Sequence, residues 1–235
     1  MSDDVGYGRV AALVPAAGRG ERLGPGAPKA IREIAGTPML VYAVKALAAS
    51  PVVDVVVVAA PSDYREDVGS LLHPQEFSAE VFVVSGGESR SESVARALIA
   101  LPDDVDVVLV HDAARPLVPP EVITNVVAAV RNGHAAVVPV VPLVDTIRTV
   151  TGDASLGAAV SRDSLRAVQT PQGFTRDVLQ RAHAEIDAHV TDDAGMVERL
   201  GIAVHAVDGH EDAFKVTRPL DVVLAEALIE HRRTR

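Results

Sequence analysis

The sequence predicts an α/β fold with a mostly parallel, twisted sheet, helices on both faces and an inserted β-hairpin arm. Short valine-rich runs alternate with helical segments along the chain, which is typical of βαβ units with right-handed crossovers. Hydrophobic residues make up 48% of the 235 residues, and valine-rich runs suit strands that are buried on both faces of a parallel sheet. One segment departs from this alternation and has the two-residue period of a hairpin.

Six apolar runs are predicted as strands because they are short, rich in valine and bounded by turn residues. They are Val10–Val14, Val52–Ala60, Val81–Val84, Val105–Val110, Ala135–Val140 and a later one near Ala203–Val207.

Five helices are predicted between these strands from their apolar faces and end signals. The first begins with Thr37 as N-cap and Pro38 at the first helical position and runs through Ala49. The third begins after Pro119-Pro120 and is closed by Asn132-Gly133. The second to fifth predicted helices have the ranges Ser91–Leu101, Glu121–Arg131, Thr175–Ala188 and Pro219–Arg232.

The inserted arm is predicted over about residues 139–163. Side chains alternate from Val144 to Val150, Thr151-Gly152-Asp153 forms a turn, and Leu156–Ser161 returns as a second strand. An isolated hairpin is marginally stable in water, so we expect the arm to pack on a second copy of the chain in a homodimer. The whole chain, residues 1–235, is expected to form one domain that carries this arm.

Composition excludes several classes of function. The formal net charge is −10, which disfavours binding to nucleic acid or to an acidic membrane surface. No apolar run approaches the ~20 residues of a membrane span. The absence of cysteine excludes disulfides and thiolate chemistry, and the acidic start Met1–Asp4 does not resemble a signal peptide. A cytoplasmic location is therefore expected.

The loop after the first strand predicts a polyphosphate site. Glycine lets backbone N–H groups approach an anion, and this loop combines four glycines with three cations. A Walker A triplet is absent, and the glycine spacing is one residue too long for the dinucleotide fingerprint. The residues concerned are Gly18, Gly20, Gly24 and Gly26 with Arg19, Arg22 and Lys29.

Later polar clusters follow other predicted strands. Gly86-Gly87 permits close approach to a base or ribose, with Ser93 in the following helix. Asp112 follows Val105–Val110, where a carboxylate near phosphates can hold Mg²⁺. Arg115 can pair with phosphate in a bidentate manner. The neighbouring His111 is interpreted as structural.

Two further positions carry more than one interpretation. Thr191 has the residue type of a helix N-cap. Lys215 follows an apolar residue at an expected strand end, from which it could reach a substrate phosphate. The eight histidines show no zinc-ligand spacing, and no nucleophile elbow is present.

An ordered set of motifs extends from about Val10 to Leu228 and resembles the 2-C-methyl-D-erythritol 4-phosphate cytidylyltransferase family of non-mevalonate isoprenoid synthesis. The set comprises Pro15-Ala16-Ala17-Gly18-x-Gly20-x-Arg22-Leu23, Pro28-Lys29, Gly86-Gly87-x-x-Arg90-x-x-Ser93-Val94, His111-Asp112-Ala113-Ala114-Arg115-Pro116, Asp145-Thr146, Thr170-Pro171-Gln172, Thr191-Asp192-Asp193-Ala194 and Lys215-Val216-Thr217.

The resemblance implies a Rossmann-like fold and a Mg²⁺-dependent reaction. CTP and 2-C-methyl-D-erythritol 4-phosphate would give 4-diphosphocytidyl-2-C-methyl-D-erythritol and pyrophosphate, by in-line attack of the substrate's phosphate oxygen on the α-phosphorus.

The resemblance also implies roles for individual residues. Arg22, Lys29 and Lys215 would be catalytic, and Asp112 would serve the metal and substrate hydroxyls. The CTP-binding set would be Ala16, Ala17, Gly18, Gly20, Gly87, Arg90 and Ser93. The substrate site would include Asp112, Arg115, Thr170, Thr191 and Lys215, with Thr146 and Arg162 contributed by the arm of the partner subunit.

Two alternative functions remain at this stage. A ribitol 5-phosphate cytidylyltransferase would share the fold and the loop, although such relatives tend to have Leu-Ala-Gly-Gly where this chain has Pro15-Ala16-Ala17-Gly18. A catalytically silent nucleotide-binding regulator would be expected to lose Arg22, Lys29 or Asp112, and all three are present. The chain departs from the family pattern at Ser85, usually acidic, and at Gly195, usually serine.

Overall fold

A computed structural model describes residues 8–17, 31–152, 154–186 and 192–234. The strands in these ranges are β1 Arg9–Pro15, β2 Glu33–Ile34, β3 Thr37–Pro38, β4 Val55–Ala60, β5 Glu80–Ser85, β6 Val105–Val110, β7 Ala136–Pro142, β8 Ile147–Val150, β9 Leu156–Val160, β10 Arg166–Val168, β11 Gln172–Thr175 and β12 His205–Asp208. The α-helices are α1 Met39–Ala48, α2 Arg65–Leu72, α3 Arg90–Ile99, α4 Pro120–Arg131, α5 Arg176–Glu185, α6 Asp193–Arg199 and α7 Pro219–Arg233.

The central sheet has the strand order β10-β7-β11-β6-β1-β4-β5, and β12 pairs with β7. The pairs β6–β1, β1–β4, β4–β5 and β7–β12 are parallel, whereas β11 is antiparallel to β6 and β7, and β10 is antiparallel to β7. The predicted mostly parallel α/β fold is confirmed.

Both faces of the sheet are buried, which explains why its central strands are apolar without alternation. Val10, Ala12 and Val14 pack on one face with α1, α2 and α4. Ala11 and Leu13 pack on the other face with α3, α5 and α6. Successive side chains of a strand point to opposite faces, so a strand with helices on both sides needs an apolar residue at every position.

The predicted hairpin is confirmed as a separate two-stranded sheet. Strands β8 and β9 are antiparallel, with Ile147 opposite Val160 and Val150 opposite Leu156. Thr151 closes the turn, since its backbone N–H donates to Ser155 O and its carbonyl accepts from Ala154 N.

The prediction for the start of the first helix was wrong. Thr37 pairs with Ile34 in the short β2–β3 hairpin, and a residue that precedes proline favours extended backbone. Pro38 takes the N-cap position and the helix begins at Met39. The turn of this hairpin has positive φ at Ala35 and Gly36.

Short elements were missed by the sequence analysis. Helix α2 buries only Val68 and Leu72, so its apolar face is too narrow to show a clear period. Helix α6 has seven residues. Strand β11 carries Gly173, and glycine has a low strand propensity. No α-helix in the described ranges is long and apolar enough to cross a membrane.

Candidate active site

Three of the predicted clusters lie at one edge of the sheet, where the parallel strands β1, β5 and β6 end. Ala16 and Ala17 follow β1, and Ala16 N donates to Ala59 O over 2.9 Å. Gly86 follows β5 and its N–H donates to Ala60 O over 2.6 Å. Asp112 follows β6 by two residues. Open α/β sheets bind ligands outside the carboxyl ends of their strands.

The Gly86-Gly87 turn approaches the end of β1 closely. A Cβ atom built on Gly86 would lie 3.0 Å from the Cβ of Ala17 and 3.1 Å from Ala60 O. Ser93 is fully buried, its hydroxyl donates to Ser89 O over 2.8 Å, and it accepts from Gly87 N over 3.0 Å. Ser93 therefore fixes the shape of this turn, and its contact with a nucleotide stays a prediction.

Asp112 lies between two cations. Its Oδ2 is 2.7 Å from Lys215 Nζ, and its Oδ1 is 3.3 Å from Arg90 Nε. Burial would raise the pKa of Asp112, but the charges of Arg90 and Lys215 outweigh it and hold that pKa well below its usual range. The carboxylate is thus ionised throughout the physiological range, as a metal ligand must be.

The backbone at Asp112 is held by a buried hydrogen-bond chain. Asp112 N donates to Thr170 Oγ1 over 3.0 Å, and Thr170 Oγ1 lies 3.1 Å from His111 Nδ1. His111 Nε2 lies 3.0 Å from Arg115 O. Because a carbonyl only accepts, Nε2 carries the proton, and the Thr170 hydroxyl donates to Nδ1.

His111 is fully buried, and this burial lowers its pKa from 6.5 to about 4. The ring is therefore neutral near pH 7, in agreement with the tautomer that its partners require. His111 and Thr170 hold the backbone of Asp112 in place, and His111 does so as a neutral ring. The structural interpretation of His111 agrees with this geometry.

Arg115 contacts backbone carbonyl groups in this structure. Its Nη1 donates to Ala213 O over 2.7 Å and its Nη2 to Val168 O over 3.1 Å. The buried Nε of Arg115 has no partner among the described residues. Desolvation lowers the pKa of Arg115, so the remaining N–H group favours an anion or carbonyl acceptor.

Lys215 does not lie at a strand end, so that part of its prediction was wrong. It lies in the extended segment between the 3-10 helix Glu211–Ala213 and α7. The adjacent Val216 is fully buried, and its N–H donates to Ala114 O over 2.8 Å. This backbone contact, rather than a strand, brings Lys215 to Asp112.

Arg90 was expected to bind CTP, and the structure places it against two carboxylates. Besides Asp112 it contacts Asp193, with Nη1 2.6 Å from Oδ2. Asp193 also lies 3.0 Å from His183 Nε2 through its other oxygen. Asp193 was part of a motif quoted from the sequence but was given no role, and His183 was not identified. The contact of Asp193 with Arg90 joins residues that are far apart in the chain.

Helix α6 is capped by Asp192, whereas Thr191, which has the residue type of an N-cap, lies outside the described residues. Asp192 Oδ1 accepts from Gly195 N over 3.1 Å, and its Oδ2 accepts from Gln172 Nε2 over 2.7 Å. This cap needs only the backbone N–H of residue 195, so glycine in place of the serine of the family pattern leaves the cap intact. Ser85, the other departure, is the last residue of β5.

The two predicted residues of the arm, Arg162 and Thr146, are not brought to Asp112 within this chain. Arg162 lies at the base of the arm, where its Nη1 donates to Val144 O. In the described ranges, no hydrogen bond or ion pair joins Arg162 or Thr146 to Asp112 or Lys215. The residues that lie outside the described part of the chain are Gly18, Gly20, Arg22, Lys29 and Thr191.

Comparisons with known proteins agree on one family. The family model described as 2-C-methyl-D-erythritol 4-phosphate cytidylyltransferase, IspD, matches residues 10–231. The chain is 56% identical to the protein of that name from Streptomyces avermitilis, over 99% of this chain and 98% of that protein. It is 58% identical to the one from Frankia casuarinae, over 94% of this chain and 81% of that protein.

Solved structures support the same conclusion. The crystal structure of 2-C-methyl-D-erythritol 4-phosphate cytidylyltransferase from Thermus thermophilus superposes with a TM-score of 0.77 at 36% identity, over 94% of this chain and 98% of that one. The 4-diphosphocytidyl-2C-methyl-D-erythritol synthase of Anaerococcus prevotii has the same fold. It superposes with a TM-score of 0.83 at 23% identity, over 95% of this chain and 97% of that one. The chain belongs to the IspD family of 2-C-methyl-D-erythritol 4-phosphate cytidylyltransferases.

Proposed function

We propose that this chain transfers a cytidylyl group from CTP to 2-C-methyl-D-erythritol 4-phosphate and releases pyrophosphate. Within a family of cytidylyltransferases, the observation that carries the proposal is the 2.7 Å pair of Lys215 with an ionised Asp112 at the carboxyl edge of the sheet. This pair offers a cation for a phosphate and a carboxylate for hydroxyl groups on one substrate.

The reaction needs no nucleophile from the protein. A phosphate oxygen of the acceptor forms a bond to the α-phosphorus of CTP, and the bond from that phosphorus to pyrophosphate breaks. Catalysis then consists of holding both substrates in line and stabilising the charge that develops on the phosphoryl oxygens. Arg22 and Lys29 are proposed for the CTP phosphates, and Lys215 for the acceptor phosphate.

The nucleotide is proposed to bind between the ends of β1 and β5. Backbone groups of Ala16, Ala17 and Gly87 lie at this edge, and side chains there are small enough for a base to approach. Gly18 and Gly20 continue the same segment of the chain. Arg115 and Thr170 would lie on the acceptor side, where the positive charge of Arg115 would attract the acceptor phosphate.

Mg²⁺ is proposed as the cofactor, with Asp112 as its protein ligand. The described residues contain no group of three or more acidic, histidine or cysteine side chains that could hold a metal, so a metal bound by protein groups alone does not fit. A single ionised carboxylate fits Mg²⁺ when substrate phosphates complete the coordination. When bound, the ion would neutralise part of the triphosphate charge.

A homodimer formed through the arm is proposed from the exposed apolar side chains along the arm. Val144, Val150 and Leu156 have relative exposures of 83%, 68% and 63%, and covering them would stabilise the hairpin. The partner's arm would then contribute Thr146 and Arg162 to the acceptor site. Sedimentation at micromolar concentration tests the homodimer, because a species that remains monomeric would contradict it.

A cytoplasmic location is also proposed, because the supply of CTP favours it.

The experiment that tests the function is pyrophosphate release with CTP and Mg²⁺, comparing 2-C-methyl-D-erythritol 4-phosphate with ribitol 5-phosphate. We expect release with the first acceptor and none with the second. Release with ribitol 5-phosphate alone would overturn the acceptor but keep the chemistry. Release with neither acceptor would overturn the enzyme assignment. The comparisons favour neither the ribitol enzyme nor a silent regulator.

A further inference from the structure

Asp193 is a buried carboxylate whose two oxygens are held by different helices. Its side chain is 1% exposed and occupies the first position of α6. Oδ1 lies 3.0 Å from His183 Nε2 in α5, and Oδ2 lies 2.6 Å from Arg90 Nη1 in α3. A carboxylate taken out of water must be paired and hydrogen-bonded, and both requirements are met here.

Arg90 links this carboxylate to the candidate active site. Its guanidinium group is planar and rigid, so fixing Nη1 against Asp193 also fixes the direction of Nε. Nε is the atom that lies 3.3 Å from Asp112 Oδ1. The contact with Asp193 is the shorter of the two, and the two carboxylates raise the pKa of Arg90 above its ordinary value despite the opposing cost of desolvation.

The position of Arg90 determines how Asp112 shares its oxygens. With Nε at Oδ1, the carboxylate presents Oδ2 to Lys215 over 2.7 Å. Lys215 is 41% exposed, and a lysine ammonium on a flexible stem moves easily. If Arg90 were displaced, Asp112 could rotate and bind Lys215 with both oxygens, which would draw the ammonium away from an incoming phosphate.

We propose that Asp193 is a positioning residue that acts on Asp112 through Arg90 and thereby keeps Lys215 available to the acceptor substrate. The inference rests on the proposed function, since it assigns a role toward the acceptor phosphate. It gives Arg90 a role on the acceptor side of the site instead of the CTP contact expected from the sequence. Asp193 itself touches no substrate, because Arg90 lies between it and Asp112.

The first test compares Asp193→Asn with the wild type and with Asp54→Asn. Asparagine keeps the shape of the side chain and removes its charge. Asp54 is the control because its carboxylate is also hydrogen-bonded, to Val10 N at 2.8 Å, but lies at the amino ends of the strands. We expect Asp193→Asn to raise the KM for the methylerythritol phosphate about tenfold, the size of one lost charge-assisted contact, and to leave the KM for CTP within about twofold.

The second test uses Arg90→Lys alone and in combination with Asp193→Asn. Lysine has one nitrogen in place of the rigid guanidinium fork, so it cannot reproduce the separate contacts of Nε and Nη1. Arg90→Lys should therefore also raise the KM for the acceptor and not that for CTP. If Asp193 acts through Arg90, the double variant should have the same acceptor KM as Arg90→Lys alone, because contacts in one network are not additive. The measurement on Arg90→Lys alone remains available if Asp193→Asn does not fold, and a rise in its CTP KM would still overturn the inference.

Three results would overturn the inference. One is an acceptor KM for Asp193→Asn that equals that of Asp54→Asn at similar melting temperatures. A second is a rise in the CTP KM for Arg90→Lys. A third is a double variant whose effect is the product of the single effects, since independent losses multiply. An inactive wild type with either acceptor would instead refute the proposed function on which the inference rests.

Discussion

Protonation of His111 should destabilise the fold as the pH falls, and this is the most direct physical test of the buried chain behind Asp112. The ring is fully buried and accepts at Nδ1 from the Thr170 hydroxyl. A proton on Nδ1 would remove this acceptor, and the charge would be buried away from solvent. The pKa of His111 is therefore lowered from 6.5 to about 4, with burial as the main cause.

The sign follows from proton linkage. Between about pH 6.5 and about pH 4, the unfolded chain binds a proton at residue 111 and the folded chain does not. The contribution of the neutral His111 ring to the free energy of unfolding is therefore complete above about pH 6.5 and is lost as the pH falls towards about 4. The difference between 6.5 and about 4 corresponds to about 3 kcal/mol at 1.36 kcal/mol per pH unit. For a chain of this size that equals a fall of roughly 6–12 °C in the melting temperature.

The assay is urea unfolding followed by circular dichroism from about pH 8 to about pH 4, at one protein concentration. At about pH 8, His111→Asn should have a lower free energy of unfolding than the wild type. Between about pH 6.5 and about pH 4, its free energy of unfolding should fall by about 3 kcal/mol less than that of the wild type. His231→Asn, at an exposed position of α7, is the matched control and should follow the wild type. An identical pH dependence for His111→Asn and wild type would refute the argument.

Two further predictions concern turnover. Lys29→Ala should lower kcat by roughly 10²–10³, the usual loss when one charge-stabilising donor is removed, and a loss of about tenfold or less in steady-state rates would reduce Lys29 to a binding role. Arg162→Ala should raise the KM for the methylerythritol phosphate and leave that for CTP unchanged, and an effect on CTP alone would show that the arm has been assigned to the wrong substrate.

The parts of the fold that could be predicted are those whose cause is local. Strands β1, β4 and β6 are continuous valine-rich runs because both faces of the sheet are covered, and periodicity identifies such runs directly. The end of α4 was predicted because Gly133 adopts a φ of +100°, which glycine tolerates without steric cost.

The parts that could not be predicted depend on contacts between distant segments. Strand β11 contains Gly173, which reads as a turn residue in isolation. In the fold, a Cβ atom there would lie 2.4 Å from Val126 Cγ1, so only glycine lets α4 pack on this strand. The sequence alone shows neither α4 nor β6 beside Gly173.

The candidate site divides in the same way. Asp112 was predicted because a carboxylate after a buried strand has a local signature. The ion pairs of Asp112 were not predicted, because Arg90 and Lys215 are separated from Asp112 by 22 and 103 positions in the sequence. Arg115 was predicted to bind phosphate from its residue type, whereas its contacts with the carbonyls of Ala213 and Val168 depend on the folded backbone.

Acid should therefore affect the fold before it affects the charge of the candidate site. Burial opposes ionisation of Asp112 and Asp193, but their cationic and hydrogen-bonding partners outweigh it and keep both pKa values below the ordinary range. A carboxyl whose folded pKa is depressed loses its stabilising contribution only as the pH falls below the unfolded value of about 4. The His111 window lies above that pH. The free energy of unfolding should consequently fall between about pH 6.5 and about pH 4, and His111→Asn should flatten this fall, whereas a fall caused by protonation of Asp112 would be the same in His111→Asn and the wild type.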